Sequence, residues 1–162
     1  MTTVISDTSP INYLVLIGEI DILPRLFQSV LIPPAVWREL QHPKTPQAVY
    51  NWAASLPPWA AIEAPTTLDA TLSLHQGETE AISLALERNI PAVLMDDRQA
   101  WLAAEARAIV PIGTVNLLES ADQLGLLDFA QAVAKLKATN FRVEQSIIDS
   151  ALKRAQQRKQ IP

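Results

Sequence analysis

Short apolar runs alternate with longer amphipathic stretches along this chain, and that alternation constrains the fold more than any other feature. The runs are rich in β-branched and aliphatic residues, as strands buried on both faces of a parallel sheet tend to be. Four of them are candidate strands: Thr3–Asp7, Ser29–Ile32, Ala92–Met95 and Ile109–Ile112. The pattern predicts a mainly parallel sheet with helices on both of its faces, which is a three-layer α/β/α architecture.

Helices are predicted between and after these runs. The signals are apolar residues at helical spacing and, before some segments, a proline that suits the first helical position. The predicted helices are Pro10–Ile17, Asp21–Phe27, Pro34–Gln41, Pro46–Ser55, Glu78–Arg88, Arg98–Arg107, Val115–Leu124, Phe129–Ala138 and Val143–Arg158. The segment Leu56–Thr67 contains three prolines and is predicted to be a connection.

Length and composition favour a single domain. The chain has 162 residues, of which 49% are hydrophobic, enough for one sizeable core and too few for two. We expect one domain over residues 1–162, with residues 128–162 as a C-terminal helical extension packed on it. No apolar run approaches the roughly 18 residues of a membrane span, and the N-terminus lacks a signal-peptide pattern. A soluble, cytoplasmic protein without membrane contact is therefore expected.

Cysteine is absent from the chain. Disulfides, thiolate metal sites and cysteine nucleophiles are therefore excluded. The only two histidines, His42 and His75, lie in polar, turn-like surroundings. A zinc site of the usual histidine and cysteine type is not expected.

Charge is divided unevenly along the chain. Residues 1–129 carry 6 Lys/Arg against 15 Asp/Glu, whereas residues 130–162 carry 7 against 2. The basic end has two interpretations. Its cations can simply suit the C-terminal end of a solvated helix, or they can contact phosphate groups of a nucleic acid.

Carboxylates occur at the ends of predicted strands and within or at the starts of predicted helices. They are Asp7, Glu39, Glu78, Glu80, Asp96 and Asp97. Taken singly, each has an ordinary explanation, and for Asp7 that explanation is a helix N-cap. If the strands are parallel, however, Asp7 and the pair Asp96 and Asp97 emerge at the same edge of the sheet. Helical spacing does not separate Glu78 from Glu80 as the acid that joins them.

Carboxylates that converge require a positive charge, because like charges at short range oppose one another's ionisation. A divalent cation supplies that charge. Ligation by oxygen alone, without histidine or cysteine, suits Mg²⁺ or Mn²⁺. Such an ion can activate water and neutralise a phosphate in an in-line displacement. The constellation therefore leads to phosphodiester hydrolysis as a hypothesis.

Four segments in order carry a family resemblance. They are "SDTSP", "IPPAVWREL", "GETEAISLAL" and "LMDDRQA", the last followed by "PIGT". From about Val4 to Leu127 the chain resembles the PIN-domain superfamily, and more narrowly its bacterial and archaeal DUF3368-like group. The tail "FRVEQSIIDSALKRA" is similar to the closing helix of that group. The resemblance implies a PIN-like fold, with a four- to five-stranded sheet and C-terminal helices, and nuclease chemistry.

The resemblance also assigns site residues. The family's metal-binding and catalytic acids correspond to Asp7, Glu39, Glu80 and Asp97 in this chain. Glu80 is favoured over its neighbour because the family's third acid precedes an alanine and an aliphatic residue, as in "EAI". Asp97 is favoured because the fourth acid commonly lies one residue past the strand. The second choices are Asp96, Glu78, Thr8, Ser9 and Arg98.

Two positions depart from the family pattern. The third acid is a glutamate where toxin nucleases commonly have aspartate, which lengthens its reach by one methylene group. Trp101 stands where the narrower group often has an arginine, which leaves Arg98 as the nearest cation to the fourth acid.

The resemblance implies an Mg²⁺- or Mn²⁺-dependent endoribonuclease, the toxin half of a toxin–antitoxin pair. RNA would be its substrate, a small antitoxin protein its partner and a homodimer its assembly. One alternative is an inactive PIN-like binding or scaffold module, which the low basic content of residues 1–129 favours. A HAD-type phosphatase is less consistent with the sequence, since it requires a second acid where this chain has Ser9.

Overall fold

In the computed structural model, which describes residues 2–160, five short parallel strands form the central sheet. The strands are β1 (Thr3–Ser6), β2 (Ser29–Ile32), β3 (Ala60–Ile62), β4 (Ala92–Leu94) and β5 (Val110–Ile112). Their order across the sheet is β3-β2-β1-β4-β5, and every neighbouring pair is parallel. The predicted parallel sheet is therefore confirmed, and β1 lies at its centre.

Residues 2–160 also contain nine α-helices. They are α1 (Thr8–Leu16), α2 (Leu23–Leu26), α3 (Pro34–Leu40), α4 (Gln47–Ala54), α5 (Gln76–Arg88), α6 (Arg98–Glu105), α7 (Thr114–Gln123), α8 (Phe129–Lys137) and α9 (Gln145–Gln160). Most predicted helices match these bounds to within two residues. The exception is Asp21–Phe27, which is a 3-10 turn at Ile20–Ile22 followed by the single helical turn of α2.

The sheet separates two apolar clusters, and successive strand residues point alternately into them. Val4 and Ile5 of β1 are both fully buried, Val4 in a large cluster with α1, α7, α8 and α9 and Ile5 in a smaller one with α5 and α6. Because a strand presents its side chains with a period of two, a strand that is apolar throughout must be covered on both faces. The fold is accordingly the three-layer α/β/α arrangement predicted from the alternation.

Strand β3 lies inside the segment Leu56–Thr67, which the sequence pattern predicts to be a connection. That prediction is wrong for Ala60–Ile62, which pairs with β2 in the register Val30↔Ala60. The strand is short, and two of its three residues are alanines, which have low β propensity. It exists because it completes hydrogen bonds at one edge of the sheet, a tertiary effect that local sequence does not encode.

The two C-terminal helices pack on α7 and on each other. Phe129 and Leu136 of α8 and Ala151 of α9 are fully buried and belong to the larger core cluster. Residues after 128 therefore share the core of the sheet and its helices. None of the helices within residues 2–160 has the length and apolar character needed to cross a membrane.

Candidate metal centre

Asp7 lies at the carboxyl end of the central strand. Its backbone N–H donates to the carbonyl oxygen of Leu94 at 2.9 Å, which extends the β1–β4 pairing by one step and fixes the aspartate at the sheet edge. Only 7% of the residue is exposed. Although Asp7 precedes α1, its side chain accepts no capping hydrogen bond from that helix in the part of the chain described. The carboxylate is thus directed away from the ordinary N-cap role.

Glu39 of α3 reaches the same cavity as Asp7. Its Oε2 atom accepts a hydrogen bond of 2.5 Å from Thr8 Oγ1. Gly77 in the first turn of α5 stands directly beside it, where an added Cβ atom would lie 2.9 Å from Glu39 Oε1 and 3.5 Å from Asp7 Oδ1. The absence of a side chain at Gly77 therefore lets both carboxylates approach the start of α5.

The two glutamates of α5 have different surroundings. Glu80 Oε1 accepts from the backbone N–H of Ala35 at 3.0 Å and Oε2 from Gln76 Nε2 at 3.0 Å. Since Pro33 gives the start of α3 no side-chain cap, Glu80 fills that role from a neighbouring helix. Glu78 instead lines the cavity that Asp7 and Glu39 also line. The family pattern favours Glu80 as the third acid, but the structure places Glu80 outside this cavity and Glu78 on it.

The consecutive aspartates after β4 also differ. Both oxygens of Asp96 are held, Oδ1 by Thr114 N at 2.8 Å and Oδ2 by Ser9 Oγ at 2.6 Å and Thr114 Oγ1 at 2.7 Å. Asp97 is the N-cap of α6, and its Oδ2 accepts from Ala100 N at 3.1 Å. Its Oδ1 has no donor among the described residues. Asp96 therefore joins α1 to α7, whereas Asp97 keeps one oxygen available.

One open cavity of about 530 Å³ collects these groups. Its acidic lining is Asp7, Glu39, Glu78, Asp96 and Asp97, and the hydroxyls of Thr8 and Ser9 contribute to it. Arg98 lines the cavity as well. The cavity thus contains three of the four first-choice acids, all except Glu80, and all five second-choice residues. The residues that directly follow parallel strands lie at the same edge of the sheet, which accounts for the convergence of these acids.

Arg142 also lines this cavity, although in sequence it is only one of seven cations of the basic C-terminal end. The residue lies between α8 and α9. Its segment is attached to α1, since Tyr13 donates from its hydroxyl to Asn140 Oδ1 at 2.8 Å and packs edge-on against Phe141 at 4.9 Å between ring centroids. An aromatic residue next to an arginine in the segment "NFRV" was the only local signal.

The basic C-terminal helix contacts carboxylates of its own chain. Arg154 pairs with Glu119 at 2.8 Å, Arg158 with Asp122 at 2.8 Å, and Lys159 with Asp128 at 2.5 Å. These pairs tie α9 to α7 and to the N-cap of α8. Carboxylates of the protein itself therefore pair with these three cations, and within residues 2–160 Arg142 is the C-terminal cation that lines the acidic cavity.

Burial dominates the electrostatics of the cavity. It raises the pKa of Asp7 from 3.8 to about 7, and the carboxylates of Glu78, Glu39 and Asp96 raise it further against the lowering effect of the Thr8 backbone N–H. Burial, with a contribution from the charge of Asp97, also raises the pKa of Glu78. Among the residues described, no cationic side chain offsets this burial at Asp7, whereas the charge of His75 partly lowers the pKa of Glu78.

The donor set fits a hard divalent cation. All five acids offer oxygen only, the buried Asp7 lacks a counter-charge, and Gly77 leaves space beside Asp7 and Glu39. Among the described residues, no three acidic, histidine or cysteine side chains converge tightly enough to form a preassembled chelate. Mg²⁺ typically takes only one or two direct carboxylates and retains several waters, so a looser ring of acids is compatible with it.

Comparison with known proteins gives one match and one absence. A family model described as a PIN domain, DUF3368, matches residues 3–157. No curated protein matches the chain significantly. PIN domains are in general nucleases, and they typically use divalent metals. Since the match covers nearly the whole chain and the fold is the one expected for this family, the protein belongs to the DUF3368 family of PIN domains.

Proposed function

We propose that this protein is a divalent-metal-dependent endoribonuclease that hydrolyses RNA phosphodiester bonds. One observation carries the proposal: Asp7 is buried at the carboxyl edge of the central strand, without a capping role, and faces further carboxylates across one cavity. A buried anion among anions is costly unless a cation binds there. Membership of a nuclease family supports the same conclusion.

The proposed ligands are Asp7, Glu39, Glu78 and Asp97. Glu78 replaces Glu80 because Glu80 caps α3 and does not line the cavity. Asp97 is preferred to Asp96 because both oxygens of Asp96 are already bonded. Asp96 is then a positioning residue that holds Ser9.

The metal ion and the side chains of the cavity would have separate roles in the reaction. Bound Mg²⁺ or Mn²⁺ would supply a polarised water and positive charge for the reacting phosphate. Thr8 orients the carboxylate of Glu39 by donating to it, and Ser9 is fixed by donating to Asp96. Arg98 and Arg142 line the same cavity and can pair with phosphate oxygens of the substrate.

Two measurements on the purified protein test the proposal. Calorimetry with Mn²⁺ should show site-specific uptake, and labelled RNA should be cleaved only when a divalent ion is present. Glu105→Gln is a suitable control because Glu105 is an exposed acid outside the cavity. Its uptake and cleavage should equal those of the wild type. Cleavage that continues in excess chelator would contradict the proposal.

Gly77→Ala is expected to weaken Mn²⁺ binding about tenfold while changing Tm little. The new Cβ atom would lie 2.9 Å from Glu39 Oε1 and 3.2 Å from Val36 Cγ2. The exposed Glu39 side chain can swing aside, so the cost falls on ion binding rather than on folding. Alanine also favours the helix by about 1 kcal/mol relative to glycine, which offsets the crowding of Val36. Calorimetry and a thermal melt measure the two effects, and an unchanged Mn²⁺ affinity would remove Glu39 from the ligand set.

We also propose that the protein is the toxin component of a toxin–antitoxin pair, inhibited by a small antitoxin protein and assembled as a homodimer. Family resemblance is the basis for all three statements. Induced expression should arrest growth, and co-expression of a small reading frame located immediately upstream should relieve the arrest. Light scattering should give twice the chain mass.

A metal-free binding module is the competing function, favoured by the excess of acids over bases in residues 1–129. An acidic edge without an ion repels RNA. Such a module should therefore show neither site-specific Mn²⁺ uptake nor ion-dependent RNA binding, which is the opposite of the result expected above.

A further inference from the structure

A second cavity, of about 420 Å³, adjoins the acidic one. The two share Asp96, Arg98 and Arg142 in their linings. The rest of the second cavity is mainly apolar, although Glu144 also lines it, and its apolar walls are Trp101, Val115, Phe141, Val143 and Ile147. Its volume lies in the lower part of the range of roughly 300–1,000 Å³ that is usual for small-ligand clefts.

Two aromatic rings of this cavity come from separate elements that are both fixed in place. Trp101 of α6 lies against Gly113, where an added Cβ atom would be 3.4 Å from Trp101 Cζ3. Phe141 precedes α9 and packs edge-on against Tyr13 at an interplanar angle of 77°. The cavity thus offers aromatic surface that is positioned by packing before any ligand binds.

Two arginines and one carboxylate, that of Asp96, form the boundary between the two cavities. Arg98 and Arg142 line both, and within residues 2–160 neither forms an ion pair with a carboxylate. Asn116 adds a polar group, since its Oδ1 accepts from Gly113 N at 3.1 Å and its amide N–H groups have no acceptor among the described residues. The acidic cavity therefore borders an aromatic cleft, and the two guanidinium groups lie where the two meet.

We propose that the second cavity binds one nucleobase of a single-stranded RNA, adjacent to the phosphodiester held at the acidic cavity. This inference rests on the proposed nuclease function. Trp101 stacks on the base, and Arg98 and Arg142 pair with the intervening backbone phosphate. Proteins that hold single strands combine a cationic track with aromatic platforms in this way. An apolar protein segment would fill the cleft equally well but would leave the two guanidinium groups without an anion.

The test is equilibrium binding of a fluorescein-labelled pentaribonucleotide, measured in the Asp7→Asn background so that no cleavage occurs during the titration. Trp101→Leu should raise Kd about tenfold, the size expected when one stacked base is lost. Trp101→Phe should recover most of the affinity, because it keeps a ring where leucine keeps only apolar bulk. Leu102→Ala, on the same helix but exposed and outside both cavities, should leave Kd unchanged.

A second arm varies the RNA, and its main comparison, made on the Asp7→Asn protein, needs no Trp101 variant. A pentanucleotide with abasic sugars should bind the Asp7→Asn protein about tenfold more weakly than the parent RNA, and Trp101→Leu should not weaken it further. Equal binding of the parent and abasic RNA would overturn the base subsite, as would a Trp101→Leu effect that persists on the abasic strand.

Failure of this inference is distinguishable from failure of the proposed function. Ion-dependent cleavage by the wild type with base-independent binding would remove only the base subsite. Base- and Trp101-dependent binding in a protein that cleaves no RNA would remove only the nuclease assignment.

Discussion

Asp7→Asn is expected to lower the rate of divalent-ion-dependent RNA cleavage by about a thousandfold or more. Asparagine keeps the size of the side chain but removes the negative charge that would hold the cation at the carboxyl edge of β1. Initial rates on labelled RNA, at saturating Mn²⁺, measure the loss. Cleavage that survives this substitution would contradict the proposed site.

The same substitution should stabilise the ion-free protein at neutral and alkaline pH. The pKa of Asp7 is about 7 in the folded protein against 3.8 as its ordinary value. Stability associated with the protonated carboxyl group is therefore fully present below about pH 4 and is lost as the pH rises through 7. The loss amounts to roughly 4 kcal/mol, and asparagine, which does not ionise, avoids it.

Urea denaturation in chelator at pH 5 and pH 8 measures this stability change. The wild type should lose much of its unfolding free energy between the two values, and Asp7→Asn should lose less. Excess Mn²⁺ at pH 8 should restore stability to the wild type but not to the variant, because a ligand stabilises only the state that binds it. A variant less stable than the wild type at pH 8 would show that Asp7 has a structural partner instead.

Glu78→Gln is expected to reduce cleavage about a hundredfold, whereas Glu80→Gln should change it less than threefold. The two changes are chemically identical and lie two residues apart on α5. Glu78 lines the acidic cavity and is 8% exposed, so loss of its charge removes a proposed ligand. At position 80 the glutamine oxygen can still accept from Ala35 N, which preserves the cap of α3.

Mn²⁺ calorimetry on the same pair separates ion binding from folding. Glu78→Gln should weaken uptake, and Glu80→Gln should leave it intact. The reverse outcome, with Glu80 required and Glu78 dispensable, would restore the assignment that the family pattern favours. Circular dichroism on both variants controls for loss of the helix.

Much of the fold could be predicted because its signals are local. The mainly apolar runs of β1, β2, β4 and β5 indicate strands, as is usual where helices cover both faces of a parallel sheet. Strand β3 could not be predicted in the same way, because Ala60–Ile62 has little β propensity and depends on pairing with β2. That β3 forms a strand at the edge of the sheet is a property of the assembled fold.

In the candidate site, too, some residues could be predicted from the sequence and others could not. Asp7, Asp96 and Asp97 follow strands, and a parallel sheet brings such residues to one edge whatever the rest of the chain does. Glu78 and Glu80 could not be separated because both lie near the apolar face of α5, and only the contact of α5 with α3 decides which one faces the cavity. Arg142 reaches the site through the contacts of its segment with Tyr13, far away in sequence.

The class of fold, the family and the set of acids follow from the amino-acid sequence alone, because burial patterns and motif order are local properties of the chain. The packing of the helices is needed to show which of those acids share a cavity, which cations are paired within the protein, and that an aromatic cleft adjoins the acidic one. Side-chain direction and charge pairing depend on how the helices pack against the sheet. Those contacts join residues that the sequence keeps apart.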